Sequence, residues 1–179
     1  MRIRLCNGLL LSVLLVISLS TTAQGLPPLT HGLAKLESPY EAPHLKFSDL
    51  DDELIDIRQM RGEVVIVNFW ATWCPPCRRE MGSLERLHQA TQGQGVNVLA
   101  VNVGEAEDII FSFLGTVEPS PTFPILLDLN AESVDPWKVK GLPTTFIVGP
   151  KGKVIYRAVG GREFDHPELI EQIRSLIRH

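Results

Sequence analysis

Apolar runs and amphipathic runs alternate along most of this chain, and they predict strands that alternate with helices. A largely apolar run rich in β-branched residues is typical of a strand buried on both faces of a sheet. Such predicted strands are EVVIVNFW (63–70), GVNVLAVNVG (95–104) and TFPILLDL (122–129). The segment LPTTFIVGPKGKVIYRAVG (142–160) predicts a hairpin of two strands around GPKGK.

Helical periodicity is clearest in the segment that follows the predicted strand 63–70. In CRREMGSLERLHQATQ (77–92), apolar side chains form one stripe, namely Met81, Leu84 and Leu87. Three further segments are predicted to be helical: EAEDIIFSFLGTV (105–117) with acids at its start, AESVDPWKVKG (131–141) as a short piece, and DHPELIEQIRSLIRH (165–179) with Asp165 as the capping candidate.

The order of these elements indicates the fold class. Strands separated by helices imply parallel strands joined by right-handed crossovers, and the last hairpin adds antiparallel strands. HLKFSDLDDELIDI (44–57) predicts two short strands and a turn in front of them. We therefore predict one α/β domain over residues 43–179, with a central mixed sheet and helices on both faces. Residues 24–42 contain three prolines and are predicted to be a linker.

The first 23 residues have the composition of an export signal. Arg2 and Arg4 precede an apolar run from about Leu9 to Leu19, and Ala23 offers a small residue at a cleavage site. The run is short for a membrane span. We expect a cleaved signal peptide over residues 1–23, with an uncleaved membrane anchor as the alternative. Either outcome predicts a periplasmic or otherwise exported domain that contacts the membrane only through its N-terminus.

Charge and cysteine content narrow the functional classes. The formal net charge is −4 and no basic run occurs, which argues against a nucleic-acid partner. Of the three cysteines, Cys6 lies in the predicted signal, so the exported domain keeps Cys74 and Cys77. An exported protein meets a compartment that permits disulfides, yet this chain has no framework of several bridges.

The cysteine pair in FWATWCPPCRRE (69–80) has three chemical interpretations. A structural zinc site needs about four ligands, and the chain has neither a second CxxC nor paired histidines, so we predict no metal and no cofactor. A disulfide across three residues closes so small a loop that it stabilises the fold little. Strain and exposure favour exchange of such a bond instead.

A redox-active disulfide fits the local pattern best. Cys74 follows a buried strand and starts a helix, whose N-terminal N–H groups and dipole stabilise a thiolate. Pro75 and Pro76 suit the first helical turn. We predict that Cys74 attacks a substrate to form a mixed disulfide and that the less exposed Cys77 resolves it.

Four motifs in this order carry a family resemblance: NFWATWCPPCRRE (68–80), VNVGE (101–105), GLPTTFIV (141–148) and GKV (152–154). Together they resemble the TlpA/ResA-like branch of the thioredoxin superfamily, which consists of exported thiol-disulfide oxidoreductases. The resemblance implies a thioredoxin-like fold with an N-terminal β-hairpin and a central strand–helix insertion. It also implies that Pro143 is a cis proline facing the cysteines, whereas the residues alone leave a trans turn proline open.

The predicted substrate-binding residues surround the cysteine pair. By the resemblance, Leu142 and Thr144 offer backbone groups to an incoming peptide. Pro143, which lies between them, is also predicted to bind substrate, as are the two sequence neighbours of Cys74, Trp73 and Pro75.

A third catalytic candidate follows the cysteines. Parent thioredoxins carry an aspartate where this chain has Asn68, which cannot take a proton. Glu80 lies three residues after Cys77, on the same helix face, and a glutamate at this spacing is typical of the family. We hypothesise that Glu80 is a proton acceptor or pKa modulator for the thiols; an exposed helix glutamate is the alternative. Glu105 is a weaker candidate, because it can simply cap the second helix.

The resemblance, and not the residues, sets the direction of electron flow. It implies a reductant of disulfides in exported proteins, with apocytochrome c cysteines or a copper-site assembly protein as targets. A membrane thiol electron donor would keep it reduced. Two alternatives share the fold: a thiol peroxidase of the peroxiredoxin type, and a Sco-like copper-binding chaperone, which needs a distant histidine ligand that no motif here supports.

Overall fold

The computed structural model describes residues 32–178. The predicted signal peptide (1–23) and residues 24–31 of the predicted linker lie outside the described residues. Within the described range, no helix is both long enough and apolar enough to cross a membrane.

Most strands of the described chain join one central sheet. The strands are β1 (Ala34–Glu41), β2 (Lys46–Ser48), β3 (Leu54–Asp56), β4 (Val64–Trp70), β5 (Val96–Val103), β6 (Ile125–Asp128), β7 (Thr144–Val148) and β8 (Lys153–Val159). Six of them form a sheet in the order β1-β8-β7-β4-β5-β6. Because β4 pairs in parallel with β5 and antiparallel with β7, the sheet is mixed.

Strand β4 lies in the middle of this sheet, and every position of its sequence VVIVNFW is buried. Valine and isoleucine suit a pleated surface that is covered on both faces. The predicted α/β class with a central mixed sheet is confirmed.

The predicted N-terminal hairpin is also confirmed, as β2 and β3 pair antiparallel in a separate two-stranded sheet. Its turn is held by the Asp49 carboxylate, whose Oδ1 accepts hydrogen bonds from the N–H groups of Asp51 (3.0 Å) and Glu53 (2.9 Å). Asp49 also forms an isolated bridge to Leu126 of β6. The hairpin is therefore attached to the far edge of the central sheet.

The predicted linker, residues 24–42, is wrong in its second half. Ala34–Glu41 forms β1, which pairs antiparallel with β8 at the sheet edge. Pro39 is tolerated there because an edge strand does not need every N–H donor, and the register shifts between Lys35 and Tyr40. A proline-containing stretch without clear periodicity thus concealed an edge strand, and the domain begins before residue 43.

The two faces of the sheet are covered differently. The described chain has three α-helices, α1 (Pro75–Thr91), α2 (Glu107–Leu114) and α3 (Pro167–Ser175), and all three contribute to the same hydrophobic cluster on one face. A short 3₁₀-helix, Ile57–Met60, and the segment between β6 and β7 cover the other face. The prediction of helices on both faces therefore holds on the second face only through this 3₁₀-helix.

The short helix predicted over residues 131–141 does not form. Ala131 and Lys138 have φ angles of 57° and 53°, which a right-handed helix cannot contain. The Asp128 carboxylate instead accepts a hydrogen bond from the Ser133 N–H at 3.0 Å, an arrangement typical of a side-chain-stabilised turn. The segment crosses the sheet face as a series of turns.

Helix α3 begins one residue later than Asp165 would require as a cap. His166 is the N-cap, and its Nδ1 accepts from the Glu168 N–H at 3.3 Å. Asp165 instead accepts from Nε of Arg86 in α1 at 2.6 Å. The acid therefore connects two helices and does not cap either of them.

Trp137 anchors the face that the turns cover. It is fully buried, and its ring centroid lies 5.6 Å from that of Phe69 and 5.2 Å from that of Phe146. Replacing Trp137→Ala is expected to lower the free energy of unfolding by about 3–5 kcal/mol, because it leaves a large cavity. Urea unfolding of the oxidised protein measures this change.

The matched control for this substitution is Trp73→Ala. The Trp73 side chain is 68% exposed, so its removal is expected to change the free energy of unfolding by less than about 0.5 kcal/mol. Equal losses in the two variants would contradict the central packing role of Trp137.

Candidate active site

The cysteine pair lies where β4 leads into α1. A three-residue loop, Ala71–Trp73, connects the strand to Cys74, which is the N-cap of α1. The Cys74 N–H donates to the Ala71 carbonyl at 3.2 Å and closes the loop into a turn. Two prolines then occupy the first two helical positions, where a missing N–H removes no helix hydrogen bond.

Cys74 and Cys77 form a disulfide with a Cα–Cα distance of 5.3 Å. Cys74 is 4% exposed and Cys77 is fully buried, which is the order of exposure that the sequence predicted. The Cys77 N–H donates to Cys74 Sγ at 3.3 Å. Because this N–H belongs to the positive end of α1, it is placed to stabilise a Cys74 thiolate after reduction.

The segment before β7 meets the end of β4. The Leu142–Pro143 peptide bond is cis, the form that the family resemblance implied. Phe69 pairs with Thr144 in antiparallel register, so Pro143 comes opposite the last residue of β4, near the cysteine loop. The Pro143 carbonyl accepts from the Gly160 N–H at 2.9 Å and so already has a partner within the fold.

The other predicted substrate-binding residues differ in accessibility. Trp73 and Pro75 are exposed on either side of the nearly buried Cys74, whereas Leu142 is half-buried and Thr144 is buried. An exposed aromatic ring beside a reactive centre offers a large contact area to a protein substrate. Accessible side-chain surface next to the disulfide therefore comes mainly from Trp73 and Pro75.

A loop after β8, residues 160–164, packs against the start of α1. A Cβ atom at Gly161 would lie 3.0 Å from both Cβ and the carbonyl oxygen of Pro76, so a side chain there would force the two segments apart. Further along, the Phe164 N–H donates to Oγ of Ser83 at 3.0 Å. This loop thus contacts α1 both inside the CPPC motif and one turn beyond Glu80.

Glu80 is buried, with 1% of its surface exposed, so the exposed alternative is wrong. Its Oε1 accepts from Asn68 Nδ2 at 2.8 Å, and its Oε2 accepts from the Arg162 N–H at 3.2 Å. Asn68 Nδ2 also donates to Thr145 Oγ1 at 2.9 Å. Glu80 is therefore held by β4 and by the loop after β8, one helical turn from Cys77.

Burial raises the pKa of Glu80 to about 8, although the hydrogen bonds from Asn68 and Arg162 act in the opposite direction. A carboxyl group with this pKa is mostly protonated at neutral pH. It exchanges its proton in the same range in which cysteine thiols ionise.

Sequence reasoning missed Arg162, which is 82 residues from Glu80 along the chain. Its hydrogen bond to Glu80 comes from the backbone N–H, a group that all residues except proline share, so no sequence signal marks it. The positive charge of its side chain also lowers the pKa of Glu80. Its side chain has a second function, because Nη1 donates to the Gly32 carbonyl at 2.7 Å just before β1. Asn68 was visible as a departure from thioredoxins, but its role as the donor to Glu80 depends on how α1 packs on β4.

Metal ligands are not gathered in the described part of the chain, where no group of three or more His, Cys, Asp or Glu could hold an ion. The cysteine pair alone falls short of the roughly four ligands of a structural zinc site. The chemistry that the described site offers is that of a dithiol and disulfide couple.

Comparisons with known proteins agree with this chemistry. Residues 40–157 match the AhpC/TSA family. The thiol-disulfide oxidoreductase ResA of Bacillus subtilis is 33% identical over 129 residues, which cover 72% of this chain and 71% of that protein. ResA of Geobacillus thermodenitrificans is 41% identical over 113 residues, 63% of this chain and 64% of that protein. A crystal structure described as a putative thiol:disulfide interchange protein DsbE from Chlorobium tepidum aligns with a TM-score of 0.71 at 28% identity, covering 79% of this chain and 99% of that chain.

These similarities, together with the site, define the class as thioredoxin-like thiol-disulfide oxidoreductases. The chain belongs to the AhpC/TSA family, and the relatives that it matches over most of its length are ResA-type enzymes. The family resemblance read from the WCPPC and LPTTF motifs, and the enzyme class that it implied, are confirmed.

The raised pKa of Glu80 predicts a specific pH dependence of stability. Between about pH 4.5 and 8 the native state keeps a proton that the unfolded chain loses, so the free energy of unfolding should fall as pH rises, by up to about 1.4 kcal/mol per pH unit. Glu80→Gln removes this dependence. Urea unfolding of the oxidised protein at several pH values measures it, and Glu107→Gln, an exposed acid of α2, is the control. A wild-type and Glu80→Gln difference that stays constant across this range would contradict the prediction.

Proposed function

We propose that the protein is an exported thiol-disulfide oxidoreductase that acts mainly as a reductant. Its proposed substrates are disulfides of exported proteins, with the haem-binding cysteines of apocytochrome c and copper-site assembly proteins as the leading classes. The proposed location is the periplasm, with or without an N-terminal anchor in the inner membrane. The export-signal composition of residues 1–23 supports this location, and recovery of the full chain in the cytoplasmic fraction would contradict it.

The single observation that carries the reductant direction is the hydrogen bonding of the Cys74 sulfur. An N-cap side chain accepts from the N–H at the second or third helical position. Here the second position is Pro76, which has no N–H, so the third, Cys77, supplies the bond. With one N–H donor instead of two, the Cys74 thiolate is stabilised less. A less stabilised dithiol gives up its electrons more readily.

The proposed reaction is two successive thiol–disulfide exchanges. The Cys74 thiolate attacks one sulfur of the substrate disulfide, forms a mixed disulfide and releases the other substrate sulfur as a thiolate. Cys77 then loses its proton and attacks Cys74 Sγ, which releases the second substrate thiolate and leaves the Cys74–Cys77 disulfide. Two electrons pass to the substrate, and a membrane dithiol donor restores them by the reverse exchange.

Glu80 is the proposed proton acceptor for Cys77. Both groups are buried on α1, one helical turn apart, so bulk water is not in contact with the Cys77 thiol to accept its proton. The hydrogen bonds from Asn68 and Arg162 stabilise the ionised carboxylate, so Glu80 is able to exist in both protonation states near neutral pH. Proton transfer from Cys77 to the ionised form of Glu80 would produce the resolving thiolate without adding a charge to the core, because the negative charge moves from the carboxylate to the sulfur.

The reduction potential of the Cys74–Cys77 couple tests the direction. We expect a value near or below that of thioredoxin, about −270 mV, measured by equilibration with dithiothreitol or glutathione buffers. Pro76→Ala restores an N–H at the second helical position and is expected to raise the potential by about 30 mV or more, through a stronger thiolate. Pro75→Ala is the matched control, because the first N–H does not point at the N-cap side chain.

Three experimental outcomes would overturn the proposal. A potential near that of DsbA, about −120 mV, would mean an oxidant that introduces disulfides. Rapid turnover of hydrogen peroxide by the reduced protein would favour the peroxiredoxin-type alternative. One tightly bound copper ion per reduced chain would favour the Sco-like alternative.

Titration of the reduced thiols tests the role of Glu80. Because an ionised Glu80 repels a neighbouring thiolate, the two groups should titrate as a coupled pair in the wild type. Glu80→Gln is expected to lower the thiol pKa and to leave a simpler curve, followed by the ultraviolet absorbance of the thiolate. Identical curves for the wild type and Glu80→Gln would remove Glu80 from the mechanism, and Glu107→Gln again controls for loss of a carboxylate elsewhere.

A further inference from the structure

A second buried carboxylate lies beside the cysteine loop and has no part in the chemistry described so far. Glu105 follows β5 and is 8% exposed. The sequence favoured a capping role in α2, but the N-cap of that helix is Ala106, and no side-chain hydrogen bond caps it. Glu105 therefore points elsewhere.

Glu105 is bonded to the loop between β4 and α1. Its Oε2 accepts from the Thr72 N–H at 2.7 Å and from Asn102 Nδ2 at 2.8 Å. Its Oε1 accepts from the Thr72 hydroxyl at 2.5 Å. Both carboxylate oxygens thus hold one residue of the loop, and the end of β5 supplies a third donor that fixes the carboxylate itself.

The backbone conformation of Gly104 places Glu105 for this contact. Gly104 has a φ of 76°, a conformation that favours glycine, and its N–H donates to the Asp128 carbonyl at 2.9 Å. The chain bends at this glycine, and the side chain of the next residue, Glu105, contacts the loop that follows β4. A carboxylate suits the position, because both of its oxygens accept and its charge strengthens all three hydrogen bonds, whereas an amide is neutral and has only one acceptor oxygen.

We propose that Glu105 is a positioning residue for thiol–disulfide exchange that acts through Thr72. The loop that it holds ends in Trp73, which is exposed, and Cys74, whose sulfur must face the Cys77 N–H. Fixing Thr72 by two hydrogen bonds preorganises Trp73 and Cys74 before a substrate arrives. Preorganisation of this kind accelerates attack, since the loop does not have to be ordered during the reaction.

The test is the rate at which the reduced protein attacks a small aromatic disulfide, with the free energy of unfolding measured in parallel. Glu105→Gln removes the charge from the contact and Thr72→Val removes its hydroxyl donor. Each is expected to slow attack by about three- to tenfold, which corresponds to the net contribution of one ordinary hydrogen bond. Thr72→Ser keeps both donors and should react like the wild type. Glu107→Gln, two residues further along the chain, controls for loss of a nearby carboxylate.

The double variant distinguishes positioning from independent effects. If Glu105 acts through Thr72, the Glu105→Gln/Thr72→Val protein should be slowed by clearly less than the product of the two single effects, because neighbours in one network are not additive. Multiplicative losses would overturn the proposal. So would wild-type rates in both single variants, even where their stability is reduced. Faster attack by Glu105→Gln with no change in Thr72→Val would assign the effect to charge and also reject positioning.

Discussion

Pairing of β4 along both of its edges is the constraint on which the active site depends. Parallel pairing with β5 brings the end of that strand, with Glu105, to the C-terminal end of β4, where the loop leads to Cys74. Antiparallel pairing with β7 brings the cis Pro143 to the same end of β4 from the other side. Groups that lie 33 and 82 residues apart along the chain meet there within hydrogen-bond distance, so the site is a product of sheet register more than of the CPPC motif alone.

The two buried carboxylates near the C-terminal end of β4, Glu80 and Glu105, have different hydrogen-bonding environments. Glu105 accepts three hydrogen bonds, two of them from one loop residue, which suits a fixed structural contact. Glu80 accepts two, and burial dominates its environment, so its pKa lies where protons exchange readily. A core built for stability alone would have an apolar side chain at that position, because desolvating an ionisable group is costly. The presence of an ionisable group at this buried position supports the role in proton transfer that we propose for Glu80.

Local patterns were sufficient to predict part of this structure. Strand β4 and helix α1 have strong periodicity, and the cysteine spacing identified the reactive pair without any knowledge of tertiary contacts. The failures have two physical causes. Strand β1 exists because β8, distant in sequence, offers an edge to pair with. The segment 131–141 is held in turns by a nearby side chain, because the Asp128 carboxylate accepts from the Ser133 N–H. Glu105 was judged by its neighbours in sequence, whereas its hydrogen bonds reach Thr72, in the loop that follows the adjacent strand β4.

The hydrogen bond between Arg162 and Gly32 has a consequence for the encounter with the proposed electron donor. It fixes the start of the described chain to the loop whose backbone also contacts Glu80. If the proposed N-terminal anchor is retained, the attachment at Gly32 lies on the side of the domain where this loop contacts Glu80. The proposed membrane donor would then meet the disulfide at a high effective concentration. In a cleaved form the same encounter becomes bimolecular, and its rate would vary with the amount of donor in the membrane.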